Sequence, residues 1–214
     1  MKSVLFDLDG TVANTEILKA KALSYSILSM GGEAPPEIYK EVMGQSWQIV
    51  INRFFEYGKI EPDTESLNSL FRTHYNELIQ KELKEENGIS DFINFLKTKS
   101  ISTGLVSSAS SWMIQSVLKK LNMENDFSVI ISNSDTTNHK PHPEAYFIAL
   151  DNLQTKPSAA IAFEDSNAGF QAATSAGLDV FGVKHRFNQG HNFILCRKAI
   201  TSFVECKDWK IFDI

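Results

Sequence analysis

Two aspartates stand two residues apart where a short apolar run ends. Val4-Leu5-Phe6 leads directly into Asp7-Leu8-Asp9-Gly10-Thr11. Three further groups capable of chemistry lie downstream: Ser107-Ser108 after Gly104-Leu105-Val106, Lys140 within His139-Lys140-Pro141, and the pair Glu164-Asp165. A carboxylate in line with a phosphoryl group can attack it and form an aspartyl-phosphate. Clustered carboxylates repel one another, so a cation must offset them. Hard oxygen donors with few His or Cys nearby select Mg²⁺ over Zn²⁺, and Mg²⁺ favours one or two carboxylates plus substrate phosphate oxygens. Lys140 and a serine hydroxyl are then suited to the remaining phosphate oxygens.

Taken singly, each group has a plainer explanation. An Asp-x-Asp pair commonly caps a turn, and a lysine before proline is usually solvated surface. The serines at 107–111 read as a helix N-cap, and Glu164-Asp165-Ser166 as another before an Ala-rich helix. Caps alone do not explain why all of them follow successive strands. In open parallel sheets, ligands bind beyond the carboxyl ends of the strands.

The elements that would carry these residues follow from periodicity. One strand precedes Asp7. From Thr15 the pattern turns helical, with Ile17, Leu18, Leu23, Ile27 and Leu28 at helical spacing, and Gly31-Gly32 and Pro35-Pro36 ending that helix. Helical patterns continue through Ile38 and Val42, from Trp47 to about residue 55, and along a long segment capped by Asp63. After Asn87-Gly88 the rhythm changes to helix 91–96, strand 102–106, helix 112–121, strand 128–132, helix 143–150, strand 159–163, helix 168–176 and a last strand 179–183. Strands alternating with helices predict a parallel sheet covered on both faces. The fold class is therefore α/β, a doubly wound, Rossmann-like core (1–13 and 88–214) with an all-helical insert (14–87) after its first strand. Phe193-Ile194-Leu195 and Phe203-Val204 are expected against a sheet edge or helix. Trp47, Trp112 and Trp209 are expected to serve packing.

The chain carries 21 Lys+Arg against 26 Asp+Glu, a net charge of −5, so it has no electrostatic footprint for nucleic acid. Its 43% hydrophobic content excludes a disordered chain. No apolar run approaches the ~20 residues of a membrane span. Asp7 and Asp9 interrupt any signal-peptide core. Two cysteines, Cys196 and Cys206, without a metal-like spacing, point to a reducing, cytoplasmic setting. A monomer acting on a small molecule is expected.

Four segments together resemble the haloacid dehalogenase-like superfamily, in its phosphatase branch with a small helical cap. They are Asp7-Leu8-Asp9-Gly10-Thr11-Val12, Ser107 after Gly104-Leu105-Val106, Lys140-Pro141-His142-Pro143-Glu144, and Glu164-Asp165-Ser166-Asn167-Ala168-Gly169. The resemblance covers all but the last ~20 residues, with the spacing of a core whose cap follows its first strand. It implies that Asp7 is the nucleophile and Asp9 the general acid and base. It implies that Mg²⁺ is held by Asp7, the Asp9 main-chain carbonyl and Asp165, with Glu164 nearby, and that Ser107 and Lys140 bind phosphoryl oxygens; Ser108 is taken with them. The implied activity is Mg²⁺-dependent hydrolysis of a small phosphate monoester, such as a sugar phosphate. Two alternatives stand beside it, a hexose-phosphate mutase of the β-phosphoglucomutase type and a non-catalytic binding module. Mutases of that type carry an arginine after a Gly-x-Ser stretch, and here Gly44-Gln45-Ser46 is followed by Trp47. They also carry a histidine early in the first cap helix, where Lys19 stands, and Lys-Asn where Ser110-Ser111 stand. Arg53 is the one nearby substitute.

Overall fold

The computed structural model describes residues 1–206 and 209. The chain divides into two compact units, one formed by Met1–Asn14 with Lys84–Ile214 and the other by Thr15–Leu83.

The first unit is built on a six-stranded sheet: β1 (Ser3–Phe6), β2 (Ser102–Val106), β3 (Val129–Ile131), β4 (Ala160–Glu164), β5 (Asp179–Val183) and β6 (Lys198–Ile200). Their order is β3-β2-β1-β4-β5-β6, and every neighbouring pair is parallel. The order reverses between β1 and β4, which is where an open α/β sheet opens a crevice.

Both faces of the sheet are covered, which is why β1 reads as a continuous apolar run. On one face Phe6, Phe163 and Phe92 of helix Ile89–Thr98 form an aromatic cluster, with Phe6 stacked on Phe163 at 5.4 Å. On the other, Leu5, Val106 and Ala162 meet Tyr146 and Ala149 of helix Glu144–Asn152 and Phe170 of helix Asn167–Ser175. Helix Ser111–Leu121 follows β2, with Met113, Ile114, Val117 and Leu118 buried.

Three features depart from the sequence expectations. β5 is not the last strand, because Lys198–Ile200 adds a sixth beside it, tied by the Arg197 N–H to the Val180 carbonyl and the Lys184 N–H to the Ile200 carbonyl. Three residues beginning with an exposed lysine carry too little periodicity to be read as a strand. Glu164, read as the first loop residue, is the last residue of β4. Asn14 and residues 84–87, read with the insert, lie with the sheet unit. Asn14 exchanges hydrogen bonds with Lys84, and the Glu86 N–H donates to the Val12 carbonyl. In the C-terminal segment, Phe193–Leu195 forms a short 3-10 turn, and Phe203 enters the aromatic cluster, 5.1 Å from Phe163. Trp209 packs against Phe181, ring centroids 4.7 Å apart.

The second unit is helical: Thr15–Ser29, Tyr39–Val42, Trp47–Gly58 and Thr64–Glu82. The Asp63 side chain accepts the Ser66 N–H and caps the longest of these. Its Lys21 pairs with Glu82 across the first and last helices. Among the described residues, no helix is long and apolar enough to cross a membrane.

Candidate active site

Strand register assembles the site. Phe6 pairs with Leu105 on one side and Phe163 on the other, so Asp7, Val106 and Glu164 occupy the next rung of three adjacent strands. One step further come Ser107 and Asp165. Residues far apart in the chain thus reach one edge because parallel strands end level.

Lys140 ties this edge together. Its ammonium donates to Asp7 Oδ1 at 2.7 Å, Glu164 Oε1 at 2.5 Å and the Val106 carbonyl at 2.8 Å. These three bonds use all three of its protons. The loop that delivers it is shaped by Glu144, whose carboxylate accepts the Thr137 and Asn138 N–H groups and the Asn138 amide. Burial alone would lower the Lys140 pKa, but the charges of Asp7 and Glu164 outweigh it and hold it above the usual lysine value. Burial pushes Asp7 up to about 8, opposed by Lys140 and reinforced by Glu164 and Asp9.

The site therefore carries more carboxylate charge than its lysine offsets. One oxygen from each of Asp7, Glu164 and Asp165 lies within 4.8 Å of the others. Glu164 Oε1 is satisfied by Lys140 and by the Tyr146 hydroxyl at 2.5 Å, while Oε2 is buried with no hydrogen-bond partner. An orphaned buried carboxylate oxygen in an oxygen-only donor set fits a hard divalent cation.

Asp165 is held from the loop after β5. Its Oδ2 lies 2.8 Å from His185 Nε2, and its main-chain carbonyl accepts from Asn188 Nδ2 at 2.9 Å and His191 Nδ1 at 3.2 Å. Burial, with a smaller contribution from His191, lowers the His185 pKa to about 4, so the ring is neutral at physiological pH.

Of the residues expected from sequence, Asp7, Lys140, Glu164 and Asp165 are in this assembly. Asp9 is buried two residues beyond Asp7, in a loop closed by the Gly10 N–H bond to the Ala13 carbonyl. Ser107 is buried at the end of β2, where its hydroxyl accepts the Ala109 N–H, and Ser108 is exposed. The plainer cap explanation belongs to Ser166, which accepts the Gly169 N–H and leaves Glu164 and Asp165 to the site. His139 and His142 are loop residues bonded to Thr136 Oγ1 and the Glu144 N–H. Sequence reasoning gives no sign of Tyr146, Asn188 or His191, and places His185 only as a residue after strand 179–183 that borders the site. Tyr146 reads as one more apolar position of its helix, and nothing local marks its hydroxyl.

Residues 4–183 match the sequence model of the haloacid dehalogenase-like hydrolases. A phosphorylated carbohydrates phosphatase of Thermotoga maritima is 29% identical over 191 residues, covering 89% of this chain and 88% of its own. The crystal structure of CbbY from Rhodobacter sphaeroides in complex with phosphate superposes with a TM-score of 0.88 over 100% of both chains at 25% identity. β-Phosphoglucomutase of Clostridium difficile shares the fold, with a TM-score of 0.76 at 23% identity over 97% of this chain and 96% of its own.

Proposed function

Because this chain belongs to the haloacid dehalogenase-like hydrolases and is a phosphoric monoester hydrolase of that type, we propose that it is a Mg²⁺-dependent phosphatase of small phosphate monoesters, sugar phosphates foremost, working through Asp7. The observation that carries this reading is the buried cluster in which Asp7 meets Lys140, Glu164 and Asp165 at the switch point of the sheet. The sugar-phosphate assignment rests on the likeness to a carbohydrate phosphatase.

In this mechanism Asp7 attacks phosphorus, and the bond from phosphorus to the ester oxygen breaks. Asp9 gives its proton to the departing oxygen. Water then attacks the phosphoryl group on Asp7, Asp9 takes the proton from that water, and free phosphate leaves with Asp7 restored. Lys140, bonded to Asp7, stays beside the phosphoryl group carried there, with Ser107 and Ser108 as further donors from the neighbouring loop. Asp7, the Asp9 carbonyl, Glu164 and Asp165 would hold Mg²⁺. When bound, that ion supplies positive charge against the phosphoryl oxygens. The helical unit is the cap of this reading, and the free thiols Cys196 and Cys206 suit a cytoplasmic setting.

Hydrolysis is favoured over the mutase reaction by the partners of Trp47 and of its nearby substitute Arg53. The Trp47 indole donates to Asn68 Oδ1 at 2.8 Å and packs on Phe71, and an indole cannot replace a guanidinium fork at a phosphate. Arg53, the candidate substitute, is paired with Glu41 at 2.8 Å and Glu56 at 2.9 Å. A panel of phosphate esters, assayed for released phosphate with and without chelator, tests the proposal. Expected are metal-dependent release from sugar phosphates and little 1-to-6 isomerisation, even with a hexose bisphosphate primer. Full activity in excess chelator sinks the metal assignment, and isomerisation faster than hydrolysis sinks the phosphatase assignment.

A further inference from the structure

The loop after β5 has no assigned role, yet it reaches directly into the acidic cluster. His185 Nδ1 accepts the Phe187 main-chain N–H at 3.2 Å, so that nitrogen carries no proton. The proton sits on Nε2, which donates to Asp165 Oδ2 at 2.8 Å. The imidazole is thus held from both sides in one tautomer, with its N–H aimed at one oxygen of one carboxylate.

Two further features hold the ring in place. Asn188, which is 1% exposed, accepts the His185 N–H through Oδ1 at 2.9 Å. Its amide nitrogen donates to the carbonyls of Asp165 and Val183, at 2.9 and 2.8 Å. Gly10 leaves room from the loop after β1, since a Cβ there would lie 2.5 Å from Asp165 Oδ2 and 2.6 Å from His185 Nε2. Three loops therefore converge on the Asp165–His185 bond.

We propose that His185 is a positioning residue that turns Asp165 so that one oxygen faces His185 and the other faces the cation. This rests on the reading of Asp7, Glu164 and Asp165 as a cation site. An aspartate held through one oxygen suits Mg²⁺, which demands near-octahedral geometry. Ca²⁺ accepts bidentate carboxylates and irregular shells, and so depends less on the restraint. Partners that orient a metal-bound group typically contribute 10–100-fold in metal affinity.

Mn²⁺ bound to the full-length enzyme, followed by electron paramagnetic resonance with Mg²⁺ or Ca²⁺ alone as competitor, tests the inference without reference to turnover. His185→Ala should raise the Mg²⁺ needed for displacement by about tenfold and the Ca²⁺ needed by less, so that the preference for Mg²⁺ falls. His185→Gln, whose amide nitrogen stands where Nε2 does, should restore the wild-type preference. His185→Asn, which reaches only the Nδ1 position, should behave like alanine. If His185→Ala competes as wild type does, or glutamine fails to rescue, the positioning role is wrong while the cation site stands. If the wild-type enzyme binds no Mn²⁺, the cation site itself is wrong and this inference falls with it.

Discussion

The Glu164 carboxylate fills the space that a side chain on residue 169 would occupy. A Cβ placed on Gly169 would lie 1.9 Å from Glu164 Oε2 and 2.4 Å from Oε1. Gly169 is in the first turn of the helix Asn167–Ser175, and Glu164 ends the strand before it, fully buried. The bare Cα lets the helix start pass directly over the carboxylate that Lys140 and Tyr146 hold.

Gly169→Ala should therefore act on the site and on stability together. The carboxylate cannot yield without breaking its bonds to Lys140 and Tyr146, and overpacking of this kind costs about 1–3 kcal/mol. A lower urea midpoint with a loss of phosphate release is expected. An alanine variant with wild-type stability and turnover would show that the carboxylate moves freely.

Asp7→Asn should abolish turnover while keeping the fold. The amide oxygen can still accept from Lys140, which lies 2.7 Å away, but it cannot form the acyl-phosphate. Acid quenching during turnover of a labelled ester should trap label on Asp7 of the wild type and none on the variant. Label found elsewhere would reassign the nucleophile.

Lys140→Met should be among the more destabilising single changes in the sheet unit. The lysine side chain is 5% exposed and serves two carboxylates, and removing one partner of a buried ion pair typically costs about 3–5 kcal/mol. With the ammonium gone, nothing opposes the burial that already pushes Asp7 up, so Asp7 is more easily protonated than in the unfolded chain. The variant should therefore regain stability as pH falls. Denaturant titrations at neutral and mildly acidic pH read this directly, and an equal deficit at both would argue against charge as the cause.

Glu86 should give a pH dependence of the same sense, away from the site. Burial pushes its pKa from 4.5 to about 6. A carboxyl that ionises less readily when folded favours the folded state below its unfolded pKa, and that contribution is lost as pH rises from 4.5 to about 6. The loss is at most about 2 kcal/mol for this half-buried group. Glu86→Gln should match wild type at the acidic end of that window and exceed it in melting temperature above the window. Parallel melting curves at every pH would refute the assignment.

Much of this protein is legible in its residue order. Apolar runs buried on both sides announced the parallel sheet, and the change of rhythm at Gly88 separated helical insert from sheet. Asp7, Lys140, Glu164 and Asp165 could be picked out because polar residues just past strand ends share one edge in any such sheet. Only the tertiary structure decided how they meet. Lys140 gives its three protons to Asp7, Glu164 and the Val106 carbonyl, Tyr146 aims its hydroxyl at Glu164, and His185 reaches Asp165. β6 was likewise invisible, and Phe203, expected against a sheet edge or helix, was placed among its particular aromatic partners only by the fold. The physical reason is the same in each case. Periodicity reports which side of its own element a residue faces. A bond such as Lys140 to Asp7, 133 residues apart, depends on strand register and on how separate loops pack, and neither is written in any local window.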